Sequence, residues 1–279
     1  MLKDVRGRGA FVCLAVGGLL LGACSPSYRQ DQLVQSLTAI CATDYHLSVS
    51  ARQIGQTLAV HLHHDGILQQ QGPQIGLAES ANEVLGNLLE AIHRVILSSD
   101  ARLNFYVVLV SDATVPGAYL TIIRYVEDVR RANANMLPPT EFFHRTIFDL
   151  KLVSGQALGL DQLSPDDIQL EQFLSWQLAR RIHTHLTDAL QRHGIPADVG
   201  PCSGEFRNGE FAFTLNVTST PGRAGLDDAM IQHVFQDATS VIAQVLSDYQ
   251  FKRFDHVRLT HLPTGRSLLL PKTRLELFR

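Results

Sequence analysis

The sequence predicts an α+β protein built from two tandem ββαββ units with antiparallel sheets, joined by a helical insertion. Three observations predict it. Short segments with apolar residues at every second position occur in pairs separated by turn residues, which is the pattern of half-buried hairpins. Two long stretches carry apolar residues at i, i+3, i+4 spacing, the stripe of a helix lying on a core. These features recur in the same order in both halves of the 279-residue chain, as an internal repeat does.

Taken in order, Leu33, Val34, Leu37 and Ile40 space out a short helix from Gln32 to Cys41. Leu47, Val49 and Ala51 then alternate with polar residues, Gly55 supplies a turn, and Leu58, Val60 and Leu62 alternate again. This is a first hairpin with one buried face. A Gly/Gln-rich loop from Gln69 to Gly76 leads to a helix marked by Ala81, Val84, Leu85, Leu88, Leu89, Ile92, Val95 and Ile96. Asn104–Val110 and Ala118–Arg124, separated by Pro116-Gly117, read as a second hairpin and complete the first unit, residues 32–126.

Residues 127–196 have no partner in this scheme and form the insertion. Glu127–Asn135 and Glu141–Leu150 read as helices, the second introduced by Pro138-Pro139-Thr140. Ser164-Pro165-Asp166-Asp167 is an N-cap pattern, with Pro at the first helical position and acids on the positive end of the dipole. The helix it predicts carries Leu170, Leu174, Leu178, Ile182, Leu186 and Leu190 and is long enough to cross both units.

The second unit, residues 197–279, opens on Asn208-Gly209, a dipeptide that suits a two-residue hairpin because both positions tolerate positive φ. Phe211, Phe213, Leu215 and Val217 follow it, and a helix from Asp227 carries Ile231, Val234, Phe235, Ala238, Ile242 and Val245. Phe254–Thr260 and Arg266–Leu270 close the unit around Pro263-Thr264-Gly265. Superposing the halves sets Leu58, Val60 and Leu62 on Phe211, Phe213 and Leu215, and Val108 and Val110 on Val257 and Leu259. The mutual arrangement expected of such a repeat is a pseudo-twofold.

The start of the chain is of a different kind. Lys3, Arg6 and Arg8 precede an uncharged run from Phe11 to Leu21, the basic and apolar regions of an export signal. About eleven apolar residues fall short of the roughly 20 that a spanning helix needs. Leu21-Gly22-Ala23-Cys24 follows directly and resembles the lipobox of bacterial lipoproteins. The resemblance covers about the first 24 residues. It implies a signal peptide at 1–23, a diacylglycerol on the Cys24 sulfur and an acylated amine on the same residue, with palmitate-like chains in the membrane. Residues 24–31 would be a tether. Ser25 follows the cysteine where an Asp would retain such a protein in the inner membrane, so the resemblance implies lipid anchoring at the outer membrane, facing the periplasm.

Removing Lys3, Arg6, Arg8 and Asp4 from the 24 basic and 27 acidic residues leaves 21 against 26. A mildly acidic chain offers no basic stripe for nucleic acid. Once Cys13 departs with the signal and Cys24 is acylated, Cys41 and Cys202 remain. An oxidising compartment allows them to pair, and separate burial is the alternative.

Chemistry-bearing constellations are sparse. His61-Leu62-His63-His64-Asp65 places His61 and His63 on one face of a strand, where two imidazoles share a metal or face water. No third or fourth ligand is evident. His183 and His185 lie about 200° apart around a helix, and His183 with Arg180 and Arg181 reads as a solvated face. The chain carries no Gly-x-Ser-x-Gly elbow and no phosphate-cradling glycine loop, and no cofactor is implied. Val107, Leu109, Ile122 and Ile123 make both faces of the second hairpin apolar, so that sheet needs cover on two sides, from the inserted helices or from another protein. Three functions are compatible: a lipid-anchored binding or scaffolding module with an envelope protein partner, a metal-dependent hydrolase using His61 and His63, and a carrier of a small apolar ligand between the units.

Overall fold

The computed structural model describes residues 28–71, 74–152, 166–220 and 226–275. The lipobox and Cys24 lie outside the described residues. Tyr28 and Gln30, within the expected tether of residues 24–31, are tied to the body: the Tyr28 amide donates to the Ser98 carbonyl (3.2 Å) and the Gln30 amide to the Asp100 carboxylate (2.6 Å).

Helix α1 (Leu33–Asp44) comes first, with Leu33, Leu37, Ile40 and Cys41 buried on one stripe. Strands β1 (Val49–Ile54) and β2 (Thr57–His63) form the first hairpin around Gly55, whose φ of +54° favours a residue without a side chain. A small two-stranded hairpin of β3 (Leu68–Gln71) and β4 (Gln74–Leu77) occupies the stretch expected to be an irregular loop. Helix α2 (Ala81–Leu97) and the hairpin of β5 (Phe105–Ser111) and β6 (Ala118–Tyr125) complete the first ββαββ unit.

Helices α3 (Val126–Asn133) and α4 (Pro139–Arg145) follow. The helix expected over Glu141–Leu150 stops at Arg145, and Ile147–Leu152 is instead a strand, β7, paired antiparallel with β6. The open edge of β6 accounts for this. Ile147 lands opposite Ile123 and Phe148 opposite Ile122, so alternating side chains extend both apolar faces of the sheet.

Helix α5 spans Leu170–Arg192. Ser164 and Pro165 lie outside the described residues, and Asp166 and Asp167 precede the helix rather than forming its first turn. The Asp167 carboxylate accepts from the Gln56 amide (2.9 Å) and the Thr57 hydroxyl (3.1 Å), and it sits against Gly55 where a side chain would collide. After α5 come β8 (Ala197–Val199), β9 (Ser203–Arg207), β10 (Glu210–Leu215) and β11 (Val217–Ser219). Asn208 and Gly209 turn β9 into β10 with φ of +51° and +79°, as expected of their hairpin. Helix α6 (Asp228–Asp248) is capped by Asp227, whose carboxylate accepts from the Met230 amide at 2.8 Å. Strands β12 (His256–His261) and β13 (Arg266–Pro271) end the second unit, followed by a single turn, α7 (Lys272–Leu275).

The two main sheets run β1-β2-β5-β6-β7 and β9-β10-β12-β13. Within each, the hairpins are antiparallel as expected, while the central pair, β2 with β5 and β10 with β12, is parallel. A helix returns the chain between hairpins, so the first strand of the second hairpin runs alongside the last strand of the first. Leu58 lies beside Tyr106 and Phe211 beside Val257. Tyr106, not Val108, is therefore the counterpart of Val257, and the expected superposition of the last hairpins shifts by two residues.

Helix α5 also occupies, over β9 and β10, the place that α1 occupies over β1. Its stripe of Leu174, Leu178, Ile182, Leu186 and Leu190 is buried with α6 against Phe211, Phe213 and Leu215. The repeat is thus αββαββ, and only α3, α4, β7 and the segment up to α5 are inserted. The start of α5 meanwhile covers the second apolar face of the first sheet. Ile168 and Phe173 pack on Phe105, Val107, Leu109, Ile123 and Ile147, so the cover is intramolecular. Among the described residues one face of the second sheet carries no helix, and there Glu210 bridges Arg258 (2.8 Å) and His256.

Candidate functional site

The expected histidine pair is where strand alternation places it. His61 sits opposite Leu109 and His63 opposite Ser111 across the parallel ladder, and both rings hydrogen-bond the Ser111 hydroxyl, at 2.8 and 3.0 Å. Burial, then the neighbouring His63, lowers the pKa of His61. A hydroxyl can accept from one ring N–H and donate to the other ring's bare nitrogen, so one Ser111 side chain serves both. Among the described residues no group of three His, Cys, Asp or Glu side chains stands together to hold a metal, so the pair supplies two donors where a zinc site needs three or four. His183 and His185 diverge as expected: His183 donates to the Gly200 carbonyl (3.0 Å) and His185 faces elsewhere.

Cys41 and Cys202 are free thiols in different cores, Cys41 in that of the first unit and Cys202 against that of the second. The bridge between them is not formed. Burial pushes the Cys41 thiol up to about 11, so at neutral pH it is a packing group rather than a nucleophile.

Two groups of residues not marked by any motif matter more. The first joins the units. Arg145 and Asp128 are both 4% exposed and pair at 3.0 Å. The Arg145 Nε donates to Glu141 at 2.7 Å, and its guanidinium lies 4.6 Å from the centre of the Tyr249 ring. Tyr249 donates to Asp128 (2.7 Å), while the Gln177 amide donates to the Tyr249 oxygen (2.9 Å) and to the Arg145 carbonyl (2.8 Å). Arg181 reaches Glu141 at 2.7 Å, so it belongs to this knot and not to a solvated face. Burial lifts the Asp128 carboxyl above its usual range, with Tyr249 and Arg145 pulling the other way. For Arg145, burial works against the charge but Glu141, Tyr249 and Asp128 outweigh it.

The second lies inside the first unit. Tyr106 is fully buried and meets His93 (2.8 Å) and Arg124 (3.1 Å), and Arg124 stacks on Phe142 and donates to Thr146. Burial and then Arg124 push His93 down to about 4. Burial pushes Tyr106 up to about 12.

Between these groups a cleft of about 750 Å³ separates the units. Its floor is the outer edge of the first sheet, Leu120, Phe148 and Leu150, with Leu77 at one end and Phe143 leaning on Phe148 at 5.2 Å between ring centres. Its far wall is Arg180, Arg181, Thr184, His185 and Asp188 of α5 with Val241, Gln244 and Val245 of α6. The cleft exists because β7 adds a fifth strand beyond the reach of α2. The face that α2 buries over Val108 and Ile122 continues at half-buried Phe148 and exposed Leu150, over which no helix lies among the described residues. Six large apolar side chains are exposed among the described residues, and three of them, Leu77 (41%), Phe143 (61%) and Leu150 (38%), line this cleft. Exposed apolar surface gathered in one concavity marks a binding site more often than a fortuitous gap.

The other two hollows differ. One near the chain start is lined by Arg29, Asp31, Gln53 and Asp100, where Arg29 pairs with Asp31 at 3.1 Å. The other, about 500 Å³, is lined by Trp176, Gly204 and Arg207 among mostly polar neighbours. Neither presents apolar surface comparable to the cleft between the units.

No sequence pattern announces the cleft, since its lining comes from six elements; the only local signal is apolar alternation at Phe148 and Leu150 immediately after a helix. Comparison with protein-family models, curated proteins and solved structures gives no match, and the functional reading therefore rests on this geometry.

Proposed function

We propose that this chain is a lipid-anchored binding protein of the bacterial envelope, held at the outer membrane facing the periplasm, and that the cleft between its units is the binding site. The cleft is the observation that carries the reading. It favours a carrier of a small apolar ligand over a pure scaffold, because its apolar walls belong to both units and enclose a volume in the range of small-molecule sites, roughly 300–1,000 Å³. An envelope protein that delivers or receives the ligand is the partner this reading implies, and nucleic acid is not. A metal-dependent hydrolase built on His61 and His63 gains no support from two imidazoles that share one hydroxyl.

The anchor half of the reading rests on the residues around Cys24. Four peptide units separate Cys24 from Tyr28, where backbone bonds to Ser98 and Asp100 begin. An extended chain covers at most about 3.6 Å per residue, so an acyl anchor on Cys24 would hold the body within roughly 15 Å of the lipid surface. The end that carries Gly55 and Asp100 would face the bilayer. Several acyl chains, at about 0.8 kcal/mol per buried methylene, make such an anchor durable where one chain would not.

The test is intact mass and phase partition of the mature protein from a bacterial host. Expected are an N-terminus at Cys24 with added acyl mass and recovery in the detergent phase, and for Cys24→Ala no acyl mass and recovery in the aqueous phase. A mature chain that starts elsewhere would overturn the anchor. Mass spectrometry of an organic extract of the purified protein tests the cleft separately, with a stoichiometric small apolar compound expected.

A further inference from the structure

Resting on the reading of the cleft as a small-ligand site, we infer that its occupant is a single-chain amphiphilic anion, with the alkyl chain on Phe143, Phe148 and Leu150 and the anionic head at Arg180 and Arg181. The polarity of the cleft is divided. Its floor is apolar at Leu120, Phe148 and Leu150, its guanidinium groups come from one stretch of α5, and His144 and Thr146 add polar groups beside Phe143. A neutral hydrocarbon would leave those cations facing apolar surface, whereas an amphiphile satisfies both sides.

The cations are incompletely paired. Arg181 gives its Nη2 to Glu141, but its Nε is buried and has no hydrogen-bond partner among the described residues. A buried donor without an acceptor is costly, and an incoming oxyanion supplies the missing acceptor. Arg180 has no hydrogen-bonded carboxylate among the described residues. The acid whose charge it feels, Asp149, is bound to Lys151 at 3.0 Å. Among the described residues Asp188 is the only carboxylate in the lining, against two guanidinium groups. The planar guanidinium matches carboxylate and phosphate oxygens equally well, so the head is defined by its negative charge. The volume of about 750 Å³ is that of a site for one small molecule, which fits one chain better than a diacyl lipid.

The experiment uses the full acylated chain kept soluble in amphipol, without vesicles, and three photoactivatable probes with the same 16-carbon chain bearing a mid-chain diazirine: a carboxylate, a phosphate monoester and an alcohol. Labelled peptides are mapped by mass spectrometry. Expected is labelling of the peptides that hold Phe148 and Val241–Val245, with an anionic probe exceeding the alcohol on the order of tenfold, the effect of one or two charged hydrogen bonds. The stronger anion identifies the head group. Arg180→Gln, at an exposed position, is expected to lower the anion-to-alcohol ratio roughly threefold or more, Arg181 holding the remainder. Equal labelling by all three probes, or an unchanged ratio in Arg180→Gln, overturns the anionic head while leaving the cleft as an apolar site. Absence of cleft labelling by any probe, as a protein-docking groove would give, overturns both.

Discussion

At the scale of single residues, the side chains that hold this molecule together are polar ones that no motif marks. Arg145 is the clearest. Its guanidinium is enclosed by Asp128, Glu141 and Tyr249, which arrive from positions 128, 141 and 249 of the chain. Replacing it with Met leaves Asp128 buried without its cation, and breaking a buried pair from one side costs about 3–5 kcal/mol. Urea unfolding should register that loss for Arg145→Met and recover most of it in the double variant with Asp128→Leu. His93 gives a pH signature. Its pKa falls from the usual 6.5 to about 4 on folding, so the unfolded chain binds the extra proton. Its contribution is fully present above pH 6.5 and is lost as the pH falls toward 4. At about 1.36 kcal/mol per pKa unit this is at most about 3 kcal/mol. Between pH 6.5 and 4, His93→Gln should show a shallower decline in urea midpoint than the parent chain. An identical slope in both would count against the assignment. The sequence does tell that His61 and His63 share a face, because strand period decides it. It does not tell that both meet Ser111, 48 and 50 residues away.

At the scale of elements, what could be read from the sequence follows local physics. The Asn208-Gly209 turn, the helix start at Asp227 and the stripes of α2 and α6 are each decided within a few residues, and each is present. The elements that departed from expectation are decided at a distance. β7 is a strand because β6 offers an edge, and Asp166-Asp167 stand outside α5 because Asp167 is taken by the Gly55 turn. The second role of α5, as counterpart of α1, was hidden by its length and by the strand β8 that follows it. Its seat depends on Gly204 of β9, where an added Cβ would run into the Ser175 carbonyl and come within 2.7 Å of the Phe213 ring. The carbonyl belongs to the helix backbone and cannot step aside alone. Gly204→Ala should therefore push α5 off the sheet and destabilise by about 1–3 kcal/mol, the usual range for overpacking. A urea midpoint unchanged from the parent would show that helix and strand have room to part.

At the scale of the molecule, two αββαββ units with separate cores are held as one body by a third cluster in which Phe173 of α5 packs on Phe105 at 5.1 Å and on Tyr125 at 6.5 Å. This cluster and the Arg145 knot are the seam, and the cleft lies alongside it, so the geometry of the proposed site depends on the seam holding. The chain has one tryptophan, and Trp176 packs on this cluster. Its fluorescence therefore reports the seam, while far-UV circular dichroism reports the helices and sheets of both units. In the parent chain the two signals should change together over one urea transition, as they do when an intermediate is not populated. Phe173→Ala removes the central ring at a cost of about 3–5 kcal/mol, and that cost falls on the seam while most of each core is untouched. The fluorescence transition should then move to lower urea and precede the loss of circular dichroism, with the units parting before either unfolds. Coincident transitions in Phe173→Ala would mean that the units cannot stand apart, and that the cleft is a feature of one indivisible core.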